Sequence, residues 1–182
     1  KILLNFVTAK RNLPFLLQKT PSLVVTSDDG LGVGYTYFRV RGTDQSRINM
    51  TINGIPLNDS ESQSVFWVNM TDMVGSMSKM DVQRGVGTSV NGSAAFGASV
   101  NMQTEIVHQK PYAEIAFNGG SYNTFRESVK VGTGLLKHGF SVDARYSKVN
   151  SNGYIDHAKS DLHSYFVSGA WYGVNTMVKL LA

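Results

Sequence analysis

The stretch RGVGTSVNGSAAFGASVNMQTE, residues 84–105, contains four glycines, many small or polar residues and almost no charge. The spacing of Gly87 and Gly92 matches part of a phosphate-binding loop, but the stretch has no lysine to reach the phosphates of a nucleotide. A flexible linker is also a poor description, because residues 98–104 alternate as a strand does. The stretch therefore predicts a tightly turned segment inside a packed domain.

The composition of the 182 residues is that of an ordered chain with unusually little charge. Charged residues make up 16%, against about a quarter in typical proteins. The net charge is +4 and the basic residues are scattered, so nucleic-acid binding is not indicated. The absence of cysteine excludes disulfides and thiolate metal sites within these residues. The sequence has no signal peptide, no initiator methionine and no apolar run approaching the roughly twenty residues of a membrane helix. It also ends within an alternating pattern, so we expect a piece of a longer protein.

Residues 1–105 predict an α+β domain made of short elements. Asn12 is placed to cap a short helix that Pro21 ends. Asn53-Gly54 is a strong signal for a two-residue β-hairpin, because both residue types tolerate positive φ. Asp28-Asp29-Gly30 predicts a turn. Strands are predicted at 23–25, 35–40, 48–52 and around 80–83.

Residues 106–182 predict about five longer antiparallel strands. In the first of them Ala113, Ile115 and Phe117 share one face, and more polar residues alternate with them on the other. Strands of about ten residues with this alternation are typical of a transmembrane β-barrel. An antiparallel soluble sheet with one wet face gives the same alternation, so both architectures stay open on periodicity alone.

Four segments of the first half occur in the order and at the spacing of a known family. They are FRVRG at 38–42, TINGIP at 51–56, MDVQRG at 80–85 and GSAAFGASVN at 92–101. Together they resemble the plug domain of TonB-dependent outer-membrane receptors, and the resemblance covers about residues 8–105. It implies an α+β plug domain, truncated at its N-terminus, over residues 1–105. Antiparallel strands of an incomplete transmembrane β-barrel would follow over residues 106–182, in a transporter and not an enzyme.

The resemblance also assigns roles to two arginines and five glycines. In the family, arginines at the positions of Arg41 and Arg84 pair with glutamates on the inner barrel wall and lock the plug in place. Guanidinium groups suit this role because they bind two carboxylate oxygens at once; the alternative is that both are ordinary surface cations. Glycines would allow tight turns where side chains would collide in a crowded barrel lumen: Gly42, Gly54, Gly85, Gly92 and Gly97.

The resemblance implies partners and a location as well. The receptor would lie in the outer membrane of a Gram-negative cell, in contact with its lipid. A TonB-type protein would supply the energy, although the TonB box is not found in these residues. The imported ligand is expected to be a ferric siderophore or another iron complex. The alternatives are uptake of glycan, haem, cobalamin or peptide by the same architecture, and a soluble β-rich binding module. No cofactor is expected.

Two further groups of residues are candidates for binding. Phe66 and Trp67 lie beside polar residues between two plug motifs, where they are positioned to stack on a ligand ring or sugar. The alternative is that they fill the core of the plug. Four polar residues near a predicted outer loop have a spacing that fits no standard metal-ligand motif, so we predict solvated side chains and no metal: Asp156, His157, Asp161 and His163.

Overall fold

The computed structural model describes residues 12–86, 96–104 and 107–182. The described residues form two compact units, one of residues 12–104 and one of residues 107–182. The first unit mixes short helices with two small sheets, whereas the second is a single antiparallel sheet. The α+β and antiparallel parts of the predicted fold class are therefore both present, in the predicted order.

Short elements build the first unit, as the sequence predicts. Its α-helix is α1 (Leu13–Leu16). The 3-10 helices of its described residues are Leu17–Lys19, Gln45–Arg47, Trp67–Met70 and Met73–Ser76. Its strands are β1 (Leu23–Ser27), β2 (Thr36–Val40), β3 (Ile48–Ile52), β4 (Ile55–Pro56), β5 (Met77–Arg84) and β6 (Ala98–Thr104). Across the described parts of the chain, no helix has the length and apolar character required to cross a membrane.

The core of the first unit forms around two central strands. β1 and β2 pair with each other, and the other four strands form a sheet in the order β4-β3-β6-β5. β3 and β6 lie at its centre and run parallel, and parallel central strands are typically covered on both faces. Their apolar side chains are at most 1% exposed at Ile48, Met50, Val100 and Met102.

The hairpin predicted at Asn53-Gly54 is confirmed. It joins β3 to β4, and both of its central residues have positive φ, 50° and 83°. The Asn53 side chain also reaches β6, where its amide donates to the Thr104 hydroxyl and its carbonyl oxygen accepts from the Thr104 N–H, both at 3.0 Å. The hairpin is therefore fixed to the sheet by a side chain as well as by its backbone.

The helix predicted after Asn12 is present but short, and the predicted cap is wrong. The Asn12 side chain makes no capping hydrogen bond to α1. Its amide instead donates to the carbonyl oxygen of Gly34 at 2.6 Å, and its backbone N–H donates to that of Gly32 at 2.7 Å. Asn12 is thus bound to a glycine-rich loop distant in sequence, a contact that a local capping rule does not anticipate.

The second unit is a five-stranded antiparallel meander. Its strands follow the order β11-β10-β9-β8-β7, with bounds β7 (Tyr112–Gly119), β8 (Phe125–Gly132), β9 (Phe140–Ser151), β10 (Ser160–Tyr172) and β11 (Met177–Leu181). The connections 120–124 and 152–159 lie at one end of the sheet, the loop end. The connections 133–139 and 173–176 lie at the other, the turn end.

The two faces of this sheet differ in exposure: the apolar side chains are exposed and many of the polar ones are buried, which is the opposite of a soluble sheet. We call one face the apolar face. Its aliphatic side chains on the four neighbouring strands β7 to β10 are 39–47% exposed: Ile115, Val129, Val131, Val142 and Val167. The other, the polar face, is at most 6% exposed at Arg126, Ser141, Arg145 and Ser147. A soluble sheet buries its apolar side chains, whereas a transmembrane barrel turns them outward to lipid. The exposure therefore favours the barrel over the soluble sheet.

Candidate functional site

The structure brings the two predicted arginines to one corner of the first unit. Arg41 follows β2 with φ of 52°, and its backbone N–H donates to the Ser22 carbonyl at 2.8 Å. Arg84 ends β5, and its guanidinium donates to the carbonyl of the adjacent Pro21 at 3.2 Å. The Arg41 guanidinium also lies 3.6 Å from the position that a Cβ on Gly85 would occupy. Residues far apart in sequence therefore bring the two arginines to the same corner.

These two cations are exposed and carry no carboxylate partner from the described residues. Like charges held together raise the electrostatic free energy of a site, and a carboxylate brought to it lowers that energy. The corner containing Arg41 and Arg84 is therefore suited to bind one or two carboxylates supplied by another part of the receptor.

Backbone conformation explains three of the predicted turn glycines. Gly42, Gly54 and Gly85 have φ of 80°, 83° and 82°, where a Cβ strains the backbone. Among the described residues, nothing lies within 4 Å of a Cβ built on Gly42 or Gly54. Within the first unit, the backbone conformation alone therefore accounts for glycine at these two positions. Gly92 lies outside the described residues.

Gly97 is the glycine that close packing requires. A Cβ there would lie 2.8 Å from the Arg47 carbonyl oxygen and 2.8 Å from the Thr43 methyl group. The Gly97 N–H donates to that Arg47 oxygen at 3.0 Å, and its own carbonyl accepts from the Gly85 N–H at 2.8 Å. Gly97 therefore joins the ends of β5 and β6 in a space that admits no side chain.

A polar loop, residues 58–66, leaves the central sheet of the first unit. The Asn58 side chain fixes its base by accepting from the Met50 N–H at 2.8 Å and donating to the carbonyls of Ile48 at 2.9 Å and Gln63 at 2.8 Å. One side-chain amide thus hydrogen-bonds two backbone groups of β3 and also connects the two sides of the loop. The loop is therefore held in one conformation although its residues are mostly exposed.

Asp59 organises the tip of the polar loop. Its carboxylate accepts from the Ser62 N–H at 2.7 Å and from the Glu61 N–H at 3.1 Å. These hydrogen bonds, the Ser62 N–H first, lower the pKa of Asp59 below its ordinary value. The carboxylate is therefore ionised at neutral pH and stays engaged within the loop.

The adjacent aromatic residues at the end of this loop have opposite environments. Phe66 is 49% exposed, whereas Trp67 is 2% exposed and packs 6.1 Å from the ring of Phe38. The Trp67 indole N–H donates to the Gln45 side-chain oxygen at 2.7 Å. The proposed ligand contact is therefore corrected for Trp67, which fills the core, while Phe66 remains available on the surface.

The four polar residues considered for a metal site are not gathered into one. His163 lies 2.9 Å from the Tyr146 hydroxyl through Nδ1 and 3.5 Å from an Asp161 oxygen through Nε2. Asp156 and His157 are exposed in the 152–159 connection. In the parts of the chain that the structure describes, no group of three or more His, Cys, Asp or Glu side chains could hold a metal ion.

Aromatic side chains form two rows across the apolar face, a feature that sequence reasoning missed. Tyr146 pairs with Tyr165 near the middle of both strands, with ring centroids 5.1 Å apart. Phe140 pairs with Trp171 at the turn end, about 20 Å away along the strands. Alternation shows which residues share a face, but the rows depend on the register between β9 and β10. The signal available in the sequence is the equal spacing of six residues between the two aromatic residues of each strand.

Similar solved structures are outer-membrane receptors and transporters. The pyoverdine outer membrane receptor FpvA from Pseudomonas aeruginosa PAO1, bound to pyoverdine, aligns with a TM-score of 0.74 at 18% identity over 94% of this chain and 24% of that chain. The ferric citrate transporter FecA in the unliganded form aligns with a TM-score of 0.72 at 22% identity, over 88% of this chain and 26% of that chain. The copper transporter OprC aligns with a TM-score of 0.72 at 16% identity, over 93% of this chain and 28% of that chain. At these identities the similarity shows the fold alone. The chain spans about a quarter of the length of these structures.

No curated protein sequence matches the chain significantly. The sequence family TonB-dependent Receptor Plug Domain matches residues 7–99, just over half of the 182 residues. This range includes Arg41, Arg84 and the whole polar loop. The chain therefore belongs to the TonB-dependent receptors, a family of transporters and not of enzymes, and contains their plug domain followed by antiparallel strands.

Proposed function

We propose that this chain is part of a Gram-negative outer-membrane receptor that takes up a scarce ligand by energy-coupled transport. One observation carries the proposal: a plug domain is followed by a sheet whose apolar face is exposed and carries two aromatic rows. Apolar and aromatic side chains that face outward are typical of the lipid-contacting surface of a transmembrane barrel. The plug would close the barrel, and a TonB-type protein would move it to admit a bound ligand.

A soluble β-rich binding module is the alternative from a different class. Fractionation of cells that produce the full-length protein separates the two, because a barrel is extracted from the outer membrane only by detergent. We expect the protein in the outer-membrane fraction. Recovery in the soluble periplasm would reject the transporter.

The ligand we propose is an iron complex, with a ferric siderophore as the first candidate. Two of the similar structures support it, a receptor bound to pyoverdine and a ferric citrate transporter. A copper transporter aligns equally well, so the fold does not separate iron from other cargo. Glycan, haem, cobalamin and peptide are the alternatives.

Growth of a receptor-deletion strain on single nutrient sources tests the ligand class. We expect a defect when a ferric complex is the sole iron source, restored by the wild-type receptor on a plasmid. A defect confined to glycan use, with iron-limited growth intact, would reject the iron complex while leaving the transporter standing.

Phe66 is the side chain we propose for ligand contact in the plug. Its ring is exposed at the end of a loop that hydrogen bonds hold in place, and a rigid aromatic surface binds at low entropic cost. Phe66→Ala is expected to weaken binding of the ferric ligand about tenfold, as for a moderate interface hot spot. Titration calorimetry on the full-length receptor measures this.

The matched control is Tyr35→Ala, which removes an equally exposed aromatic ring, 52% exposed, from the approach to β2. It is expected to leave the affinity unchanged. Equal affinities for the wild type and Phe66→Ala would remove Phe66 from the ligand site.

Arg41 and Arg84 are proposed to lock the plug to carboxylates of the barrel wall. Their guanidinium groups share one corner, and neither has a carboxylate partner among the described residues. Replacing both with alanine is expected to loosen the plug, since it leaves the partner carboxylates unpaired. Faster hydrogen exchange in the plug and greater passive leak of small solutes measure the effect.

Two variants control this experiment. Arg39→Ala removes another exposed cation of β2 and is expected to change neither readout. Arg41→Lys with Arg84→Lys keeps the charge but loses bidentate binding, so an intermediate effect is expected. If the double alanine variant matches Arg39→Ala, both arginines are ordinary surface cations.

A further inference from the structure

The turn end of the second unit presents apolar and basic side chains together. Leu135 and Leu136 are 39% and 48% exposed in the β8–β9 connection. The next two residues, Lys137 and His138, are exposed as well. Exposed leucines beside basic residues are typical of segments that lie in a membrane interface.

Contacts on both sides hold this connection in place. Gly134, with φ of 66°, lies so close to the segment that precedes β7 that a Cβ on it would be 2.5 Å from the carbonyl carbon of Lys110. On the other side, the Trp171 indole N–H donates to the His138 carbonyl at 3.1 Å. Lys110 is therefore brought next to the connection. We call Lys110, Leu135, Leu136, Lys137 and His138 the basic rim.

Charge distinguishes the two ends of the sheet. Within residues 107–182, the exposed acidic side chains all lie at the loop end: Glu127, Asp156 and Asp161. Glu114 and Asp143 are half-buried on the polar face, where Asp143 accepts a hydrogen bond of 2.8 Å from the Tyr112 hydroxyl. The basic rim therefore carries positive charge at an end of the sheet where these residues expose no acid.

We propose that the basic rim binds the anionic headgroups of phospholipids in the membrane leaflet that meets the turn end. Leu135 and Leu136 would insert at the boundary between headgroups and acyl chains. The rim is continuous with the apolar face through Phe140 and Trp171, and aromatic rings favour this interface. The proposal rests on the proposed function, because it requires the apolar face to contact lipid.

A label on the rim tests this proposal in the full-length receptor. These 182 residues contain no cysteine, so Leu136→Cys accepts an environment-sensitive fluorophore once any cysteine elsewhere in the protein is removed. The labelled receptor is reconstituted in phosphatidylcholine vesicles that contain increasing amounts of phosphatidylglycerol with brominated acyl chains. A parallel series uses brominated phosphatidylcholine. We expect brominated phosphatidylglycerol to quench the label at a lower mole fraction than brominated phosphatidylcholine.

The lysines should account for this selectivity. Each basic residue near an anionic surface raises the local affinity about fivefold, so Lys110→Ala with Lys137→Ala should remove most of the preference for phosphatidylglycerol. High salt should reduce it in the same direction. Lys148→Ala, at the loop end of the apolar face, is the matched control and should leave the preference unchanged.

A second label distinguishes the failure of this proposal from the failure of the transporter. Val142→Cys places the fluorophore on the apolar face, between the aromatic rows. Quenching at Val142 without quenching at Leu136 overturns the proposal and leaves the transmembrane sheet standing. Equal quenching of Leu136 by both lipids, unaffected by the lysine substitutions, also overturns it. Absence of quenching at Val142 by either lipid would overturn the transmembrane sheet and the basic rim together.

Discussion

Replacing Trp67 with alanine is expected to destabilise the plug domain by about 3–5 kcal/mol, the range for removing a large core aromatic side chain. Trp67 is 2% exposed and packs 6.1 Å from Phe38, so its removal leaves a cavity between residues that cannot move far to fill it. It also removes the indole donor from the side-chain oxygen of Gln45, itself 7% exposed. A buried acceptor left without its partner costs about 1–3 kcal/mol, which is part of this range.

Hydrogen exchange in the full-length receptor measures this destabilisation. The backbone amides of β3 and β6 report the opening of the core around Trp67, and a loss of 3 kcal/mol speeds their exchange by roughly a hundredfold or more. Trp67→Phe keeps most of the ring but loses the donor, so a smaller effect is expected. Phe66→Ala, at the exposed neighbour, should change stability by no more than about 0.5 kcal/mol. Equal exchange in the two alanine variants would show that Trp67 is not a core residue.

The features that the sequence predicted well are set by local backbone chemistry. Asn53-Gly54 forms its hairpin because both residues adopt positive φ at low cost, and the conformation follows from these two residues alone. The strands of the second unit were predictable for a similar reason. Alternation of side chains with a period of two assigns residues to faces without any knowledge of the rest of the fold.

The features that sequence reasoning missed depend on contacts between distant segments. Asn12 leaves its predicted capping position because a glycine-rich loop offers its amide a carbonyl. Phe66 and Trp67 have the same local sequence around them, yet only the packing of β2 decides that Trp67 is the buried one. Arg41 and Arg84 were assigned by resemblance, but their meeting at one corner follows from the way β2 and β5 end beside Pro21.

The largest effect expected in the second unit comes from a charge placed in the middle of the apolar face. Val142 lies on β9 between the row of Phe140 and the row of Tyr146, and its side chain is 45% exposed. If lipid covers this face, Val142→Arg places a guanidinium near the bilayer midplane, at a cost of about 2–4 kcal/mol. Urea unfolding of the full-length receptor from phospholipid vesicles measures the loss, and the fraction assembled in the outer membrane should fall with it.

The depth of the substitution, and not its chemistry, should decide this cost. Asn150→Arg places the same side chain on the same strand and the same face, but beyond the tyrosine row at the loop end. There a guanidinium reaches water and headgroups, so the expected cost is at most about 1 kcal/mol. In water, both substitutions would lie on an exposed surface and cost little. A Val142→Arg receptor as stable as Asn150→Arg would therefore contradict lipid contact at this face, whereas a difference of the expected size would place Val142 deeper in the membrane than Asn150.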